Sequence, residues 1–125
     1  MTENELSKVI LDTCFRVHTA LGPGLLESVY EEVLVHELRK KGISCERQVD
    51  VPILYEGIRL DSGFRADIIV EGKVIIELKS LEIIKQVHKK QLLTYLRLSN
   101  LKLGLLINFN VDKLKDGIVR IVNKL

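Results

Sequence analysis

The sequence predicts an α/β domain in which a mixed central sheet is flanked by helices. Two observations support this class. Apolar residues recur at helical spacing near the N-terminus, and the spacing then changes to that of extended chain in the middle of the sequence. The predicted order of elements, α-α-β-β-β-α-β-β, implies a mixed sheet with helices packed on it. Because 125 residues make about one ordinary domain, residues 1–125 are expected to form a single domain.

The first two predicted elements are helices. Thr2-x-x-Glu5 resembles a capping box and begins the first helix, which should stop at Gly22-Pro23-Gly24. The second helix should cover residues 25–41, with Gly42 at its C-terminal cap. Its expected apolar stripe consists of Leu26, Val29, Tyr30, Val33 and Leu34.

The rest of the chain is predicted to contain five extended segments and one helix. Glu56-Gly57 is typical of a tight turn, and a hairpin-type turn is expected around Glu71-Gly72. The predicted elements are extended chain over 43–55, strands over 64–70 and 73–79, a helix over 84–98, and strands over 103–109 and 118–122. The nearly continuous apolar run over 103–109 is typical of a strand that is covered on both faces.

Composition excludes several classes of protein. Hydrophobic residues make up 46% and charged residues 29%, so the chain should fold. The net charge of +2 permits a polyanionic partner without requiring one. Cys14 and Cys45 fit no zinc signature and are expected to be reduced, buried thiols. No apolar run approaches the ~20 residues needed to span a bilayer, and the polar N-terminus is no signal peptide, so a soluble cytoplasmic protein is expected.

The strongest chemical signal lies in the hairpin that contains Asp67, Glu77 and Lys79. Because side chains alternate between faces along a strand, Glu77 and Lys79 point the same way and Leu78 points the opposite way. The apolar run just before Glu77 indicates a central, buried strand. A buried Glu and Lys are costly unless they are paired or bound to a metal.

The turn of this hairpin decides whether Asp67 meets Glu77. A two-residue turn sets Asp67 opposite Ile76, which places Asp67 and Glu77 on different faces. A three-residue turn, or a bulge of one residue, sets Asp67 opposite Glu77 on the same face. A site formed by both carboxylates therefore requires the longer turn or the bulge.

Two adjacent carboxylates would favour a cation. At about 4 Å and an effective dielectric near 20 their repulsion is roughly 4 kcal/mol. Mg²⁺ (or Mn²⁺) removes it, prefers oxygen ligands and retains waters that can attack a phosphodiester. We predict a cation between Asp67 and Glu77, with the Leu78 carbonyl as a further ligand and Lys79 acting on the attacking water. The alternative is a surface hairpin with a Glu–Lys ion pair.

Two further predicted elements carry candidate residues. On the third helix Ile84, Val87, His88, Gln91, Tyr95 and Leu98 share one face at helical spacing. Gln91 and Tyr95 should therefore face the sheet, where they would bond Lys79, a water or a substrate phosphate; the alternative is a satisfied core pair. On the second helix Glu27 is either a third acidic group near the metal or a carboxylate that only stabilises the helix dipole.

These residues together resemble a known family. Gly24-x-x-Glu27-x-x-Tyr30, then Asp67, Glu77-x-Lys79 and Gln91-x-x-x-Tyr95, is similar to the GxxExxY family of the PD-(D/E)xK nuclease superfamily. The resemblance covers nearly the whole chain, and Ala66 stands where the superfamily name has proline. It implies a restriction-endonuclease-like fold, with the Asp and Glu on metal, the Lys at the attacking water, and the Gln and Tyr as support from a helix.

Two functions of different class follow from this sequence. The first is a Mg²⁺-dependent nuclease with catalytic residues Lys79, Glu27, Gln91 and Tyr95 and metal ligands Asp67, Glu77 and Leu78. The second is a catalytically silent nuclease-like module that binds nucleic acid or a protein partner. The expected partner is nucleic acid, DNA rather than RNA, and a homodimer is expected because one domain of this length offers few surfaces for gripping a duplex.

Overall fold

The computed structural model describes residues 1–125 and contains three α-helices and five strands in the predicted order. The elements are α1 (Glu3–Leu21), α2 (Glu27–Lys40), β1 (Cys45–Tyr55), β2 (Ile58–Val70), β3 (Val74–Lys79), α3 (Gln86–Ser99), β4 (Leu103–Asn108) and β5 (Ile118–Val122), with a short 3₁₀ turn over Leu114–Gly117 before β5. The α/β class with a mixed sheet and flanking helices is therefore confirmed.

The five strands form one sheet in the order β1-β2-β3-β4-β5, so β3 is central. Only β3 and β4 are parallel, and the other neighbouring pairs are antiparallel. A parallel pair needs a long crossover, which α3 provides between β3 and β4. All six residues of β4 are buried, as expected for a strand with both faces covered.

The sheet separates two apolar cores. On β3, Val74, Ile76 and Leu78 belong to the larger core, which they share with α1 and α2. Ile75 belongs to the smaller core on the other face, together with Leu92 and Leu96 of α3. This alternation puts Glu77 on the α3 face of the sheet.

The first two helices begin and end near the predicted residues. Thr2 and Glu5 form the capping box, and α1 ends at Gly22, which has a φ of 73°. In α2 the buried residues are Tyr30, Glu31, Leu34, Val35 and Leu38. The predicted stripe was wrong at Leu26 and Val29, which are exposed, because the helix packs on the stripe repeated every four residues from Tyr30.

The turn between β2 and β3 contains three residues. Val70 pairs with Val74, which leaves Glu71, Gly72 and Lys73 in the turn. Glu71 and Gly72 both have positive φ angles, of 52° and 64°. The longer turn is the alternative that sets Asp67 opposite Glu77.

The β1–β2 ribbon changes faces at Asp67. Residues two apart in a strand normally share a face, yet Ala66 belongs to the α3-side core and Ile68 to the other. Arg47 pairs with Ile68 and Val49 with Ala66, so the break lies at Asp67 and at its neighbour Gln48. Gln48 has a left-handed φ of 50°, a conformation that breaks strand alternation.

A second irregularity lies nearer the tip of this ribbon. Val51 pairs with Phe64 but Ile53 pairs with Leu60, so β2 carries two extra residues here. Gly63 lies in this bulge, and a Cβ on it would meet the Ile53 side chain at 2.1 Å. The bulge shifts the whole register that follows, and it thereby decides which β1 residue lies beside Asp67.

The sheet-facing side of α3 differs from the prediction. Leu92 and Leu96 are its buried residues, whereas Gln91 is exposed and Leu98 is 40% exposed. Leu92 packs closely over Gly104 of β4, where an added Cβ would come within 2.9 Å of the leucine side chain. Because a glycine makes room for Leu92, the helix is rotated and Gln91 lies outside the core.

Two smaller expectations concern thiols and membranes. Cys14 and Cys45 are both buried and free, as expected. No helix has the length and apolar character needed to cross a membrane.

Candidate metal and catalytic site

The candidate site lies where β2 separates from β3. Backbone pairing between these strands ends at Ile68 and Ile76. Beyond that point the backbone N–H of Leu78 donates a hydrogen bond of 2.8 Å to Oδ2 of Asp67. The Asp67 side chain thus replaces a strand partner, which holds its carboxylate against the central strand.

Glu77 lies beside Asp67 in an unfavourable environment. Glu77 is only 8% exposed, and its Oε1 atom is buried without a hydrogen-bond partner. Burial, followed by the charge of Asp67, raises the pKa of the Glu77 carboxyl group to about 9. In the protein alone this environment therefore disfavours the charged form of Glu77.

Lys79 ends β3 on the same face as Glu77. Its side chain is half-buried, and its charge acts to lower the pKa of Glu77. The structure contains four ion pairs between side chains, and none of them involves Lys79 or Glu77. The alternative of a surface hairpin with a Glu–Lys ion pair is therefore not what the structure contains.

The chain at and after Lys79 is held by the last residue of β4 and the residue that follows it. The Lys79 carbonyl accepts a bond of 3.1 Å from the Phe109 N–H. The side chain of Asn108, itself buried, bonds both the N–H and the carbonyl of Leu81. These bonds fix the position of the Lys79 backbone at the edge of the site.

A cavity of about 150 Å³ adjoins Asp67 on the side of α2. It is lined by Glu27, Ser28, Glu31, Gln48, Asp67 and Leu78. Five of these six residues are polar, so the cavity is suited to ions and water rather than to an apolar ligand. Glu27 thus shares a cavity with Asp67, and the structure brings these two predicted residues together.

Tyr30 does not enter this cavity and has a structural role. It is fully buried and stacks on Phe109 with ring centroids 4.3 Å apart. Its hydroxyl donates to the Gly22 carbonyl at 2.5 Å and accepts from the Leu25 N–H at 3.2 Å. Tyr30 therefore fixes the loop before α2, which places Glu27 in the first turn of that helix.

Tyr95 and Gln91 lie on the opposite side of the acidic pair. Tyr95 is half-buried, and its ring stacks on that of Phe64 with the ring centroids 3.9 Å apart. Burial and then the charges of Glu77 and Asp67 raise the pKa of the Tyr95 hydroxyl, while the Gln91 side chain acts to lower it. Tyr95 is thus close to both carboxylates, and Gln91 is an exposed residue beside it rather than the sheet-facing one that was predicted.

Three residues of the cavity, Ser28, Glu31 and Gln48, were missed by the sequence analysis. Glu31 is only 6% exposed and accepts bonds from Gln48 at 2.7 Å and from Arg47 at 3.3 Å. Glu31 lies one helical turn after Glu27, a spacing that could have revealed it. The sequence carries no comparable signal for Gln48, because the bulge near Gly63 decides that Gln48 lies beside Asp67.

Asp67 and Glu77 carry the carboxylate oxygens that a divalent cation such as Mg²⁺ prefers. No group of three or more His, Cys, Asp or Glu side chains is placed to hold a metal, so Glu27 does not complete a three-carboxylate site with Asp67 and Glu77. The unpartnered Oε1 of Glu77 beside Asp67 nevertheless leaves acceptor capacity that a hard cation prefers. Asp67 and Glu77 are therefore chemically suited to a divalent cation.

The fold and this site define a class of protein, a restriction-endonuclease-like α/β domain with one carboxylate near the end of the central strand and the other on the neighbouring strand β2. The model of the PD-(D/E)XK nuclease superfamily matches residues 4–121, and the chain belongs to this superfamily. Nucleases of this superfamily generally use divalent metal ions and act on nucleic acid. No curated protein and no solved structure matches the chain.

Proposed function

We propose that the chain is a metal-dependent nuclease of the GxxExxY type that hydrolyses phosphodiester bonds in nucleic acid. The observation that carries the proposal is the buried, unpartnered Oε1 of Glu77 next to the Asp67 carboxylate. This arrangement is unfavourable in the protein alone, because a buried acceptor has no donor and two acids are adjacent. Mg²⁺ or Mn²⁺ between them would remove both costs.

The Leu78 carbonyl is the third proposed ligand. The N–H and C=O of one residue in a strand point to the same side, and the Leu78 N–H points to Asp67. The Leu78 carbonyl therefore points toward Asp67 as well. The next carbonyl, that of Lys79, points toward β4 and is occupied by Phe109.

The remaining roles follow from placement around the acidic pair. When bound, a divalent cation supplies a Lewis acid for the phosphate and lowers the pKa of an associated water. Lys79, on the face of Glu77, orients or deprotonates the attacking water and offsets negative charge on the phosphate. Tyr95 and Gln91 bind substrate from the α3 side, and Glu27 positions water from the α2 side.

Calorimetric titration with Mg²⁺ and with Mn²⁺ tests the metal site. Binding should be measurable for the wild type and should be lost in Asp67→Ala. Asp61→Ala is the matched control, since Asp61 lies on the same strand but its side chain is 85% exposed. Equal binding by the wild type and by Asp67→Ala would contradict the proposal.

A cleavage assay on single- and double-stranded DNA and RNA tests the activity. We expect metal-dependent cleavage, with DNA cut better than RNA. A wild type that binds metal and cuts none of these substrates would instead support the silent module that binds nucleic acid or a protein partner.

A further inference from the structure

Gln48 occupies a costly backbone conformation, and burial of its own side chain does not offset the cost. Its φ of 50° lies in the left-handed region, where a residue with a Cβ is strained by about 1 kcal/mol or more. Gln48 is exposed and contributes to neither core. Burial of the side chain therefore does not explain why glutamine occupies this position.

The amide of Gln48 joins two carboxylates. Its Nε2 atom donates to Oε1 of Glu31 at 2.7 Å and lies 3.5 Å from Oδ1 of Asp67, at the outer limit of a hydrogen bond. An amide nitrogen carries two hydrogens, so it can serve both acceptors. Glu31 is itself held by Arg47 at 3.3 Å, which makes it a fixed anchor for the amide.

Asp67 is thereby oriented from both sides. Its Oδ2 accepts from the Leu78 N–H, and its Oδ1 faces the Gln48 amide. The left-handed turn at Gln48 also coincides with the change of faces that brings Asp67 to the end of β3. The strained residue and the oriented carboxylate are therefore parts of one arrangement.

We propose that Gln48 is a positioning residue, which uses Glu31 as its anchor to hold the Asp67 carboxylate in the orientation that the cation requires. This inference rests on the proposed function, because it assigns the orientation of Asp67 to metal binding. Groups that orient a metal ligand typically change metal affinity by 10- to 100-fold when they are removed.

Two substitutions distinguish the role of the Gln48 side-chain amide from that of its left-handed backbone conformation. Gln48→Gly removes the amide and relieves the left-handed strain. Gln48→Asn keeps an amide and tolerates the left-handed region, but it is one methylene shorter and cannot span Glu31 and Asp67. Glu56→Gly is the matched control, because Glu56 has a similar φ of 48° in the β1–β2 turn, away from the site.

Three measurements are made on each variant and on the wild type. The first is the Mn²⁺ dissociation constant, which should weaken by about 10-fold or more in both Gln48 variants and stay unchanged in Glu56→Gly. The second is the hydrogen-exchange rate of the Leu78 amide in metal-free protein, which should rise in both Gln48 variants as Asp67 loses its orientation. Melting temperature should not fall in Gln48→Gly, because strain is relieved there.

The outcomes distinguish the two proposals. If the wild type binds Mn²⁺ and the Gln48 variants bind equally well, the positioning role is overturned while the metal site stands. If the wild type binds no Mn²⁺, the proposed function fails, and the Leu78 exchange rate still decides whether Gln48 orients Asp67. Unchanged exchange in both Gln48 variants would overturn the inference in either case.

Discussion

At the residue scale, the two neighbouring acids of the site differ in the hydrogen-bond donors that the protein offers them. Both oxygens of Asp67 face donors, from the Leu78 N–H and the Gln48 amide. Glu77 has one oxygen without a donor and a pKa raised to about 9. The protein itself thus supplies hydrogen-bond donors to the Asp67 carboxylate, whereas it leaves one oxygen of Glu77 without a partner.

The raised pKa of Glu77 makes stability depend on pH. Between the ordinary value of 4.5 and about 9 the unfolded chain has lost the proton that the folded protein keeps. Folding therefore becomes less favourable as pH rises through this window. Glu77→Gln should remove this dependence and raise the free energy of unfolding at pH 8 by roughly 1–3 kcal/mol.

Urea unfolding of metal-free protein at pH 5 and pH 8 measures this effect. The gain from Glu77→Gln should be larger at pH 8 than at pH 5. Glu82→Gln, at an exposed glutamate, serves as the control and should change neither value. Parallel pH profiles for the wild type and Glu77→Gln would show that Glu77 does not carry the raised pKa.

Lys79 provides the second prediction at this scale. Lys79→Ala should reduce metal-dependent cleavage by ~10²–10⁴-fold, as removal of a positioned acid–base group does. Its melting temperature should stay near that of the wild type, because Lys79 makes no ion pair. Lys115→Ala, at an exposed lysine, is the control. Cleavage that survives Lys79→Ala would assign the activity to another site or to a contaminant.

At the scale of elements, the rotation of α3 decides which residues reach the site. Two sets of residues in this helix have helical spacing, one through Gln91 and Leu98 and one through Leu92 and Leu96. The structure buries the second set over Gly104. Gln91 consequently lies at the surface beside Tyr95 rather than in the core.

Alanine substitutions at two leucines of α3 test this rotation. Leu96→Ala should cost ~2–5 kcal/mol of unfolding free energy, because Leu96 is fully buried. Leu98→Ala should cost less than ~1 kcal/mol, since Leu98 is 40% exposed. Denaturant midpoints with unchanged m-values give both numbers. Equal losses of unfolding free energy in the two variants would contradict the burial of Leu96 in preference to Leu98.

At the scale of the whole molecule, the site lies where the two layers of helices meet the end of β3. The α2 side contributes Glu27 and Glu31, and the α3 side contributes Tyr95. A molecule of 14.3 kDa has room for this site but offers little further surface for a duplex. Assembly would supply that surface.

We therefore predict a homodimer, since twofold symmetry is the commonest assembly. Light scattering at working concentration should give twice 14.3 kDa, that is 28.6 kDa. The measurement should be repeated with the metal and a short duplex present. A mass of 14.3 kDa in both conditions would contradict the prediction.

The sequence by itself determined the order and type of the elements and the chemistry of the site. Hydrophobic periodicity depends on local geometry, so it predicted three helices and a mixed sheet, including the buried strand β4. Residue type together with position in the predicted hairpin named Asp67, Glu77 and Lys79. These properties depend on neighbours in the chain, and neighbours in the chain are visible in a sequence.

Only the tertiary structure decided which side chains meet. The three-residue turn set Asp67 opposite Glu77, and the bulge near Gly63 set Gln48 beside Asp67. Periodicity could not choose the buried face of α3, because both sets of residues satisfy it and packing over Gly104 selects one. A shift of one residue in a strand, or about 100° in a helix, changes every contact at little cost in local energy, so long-range packing has to make the choice.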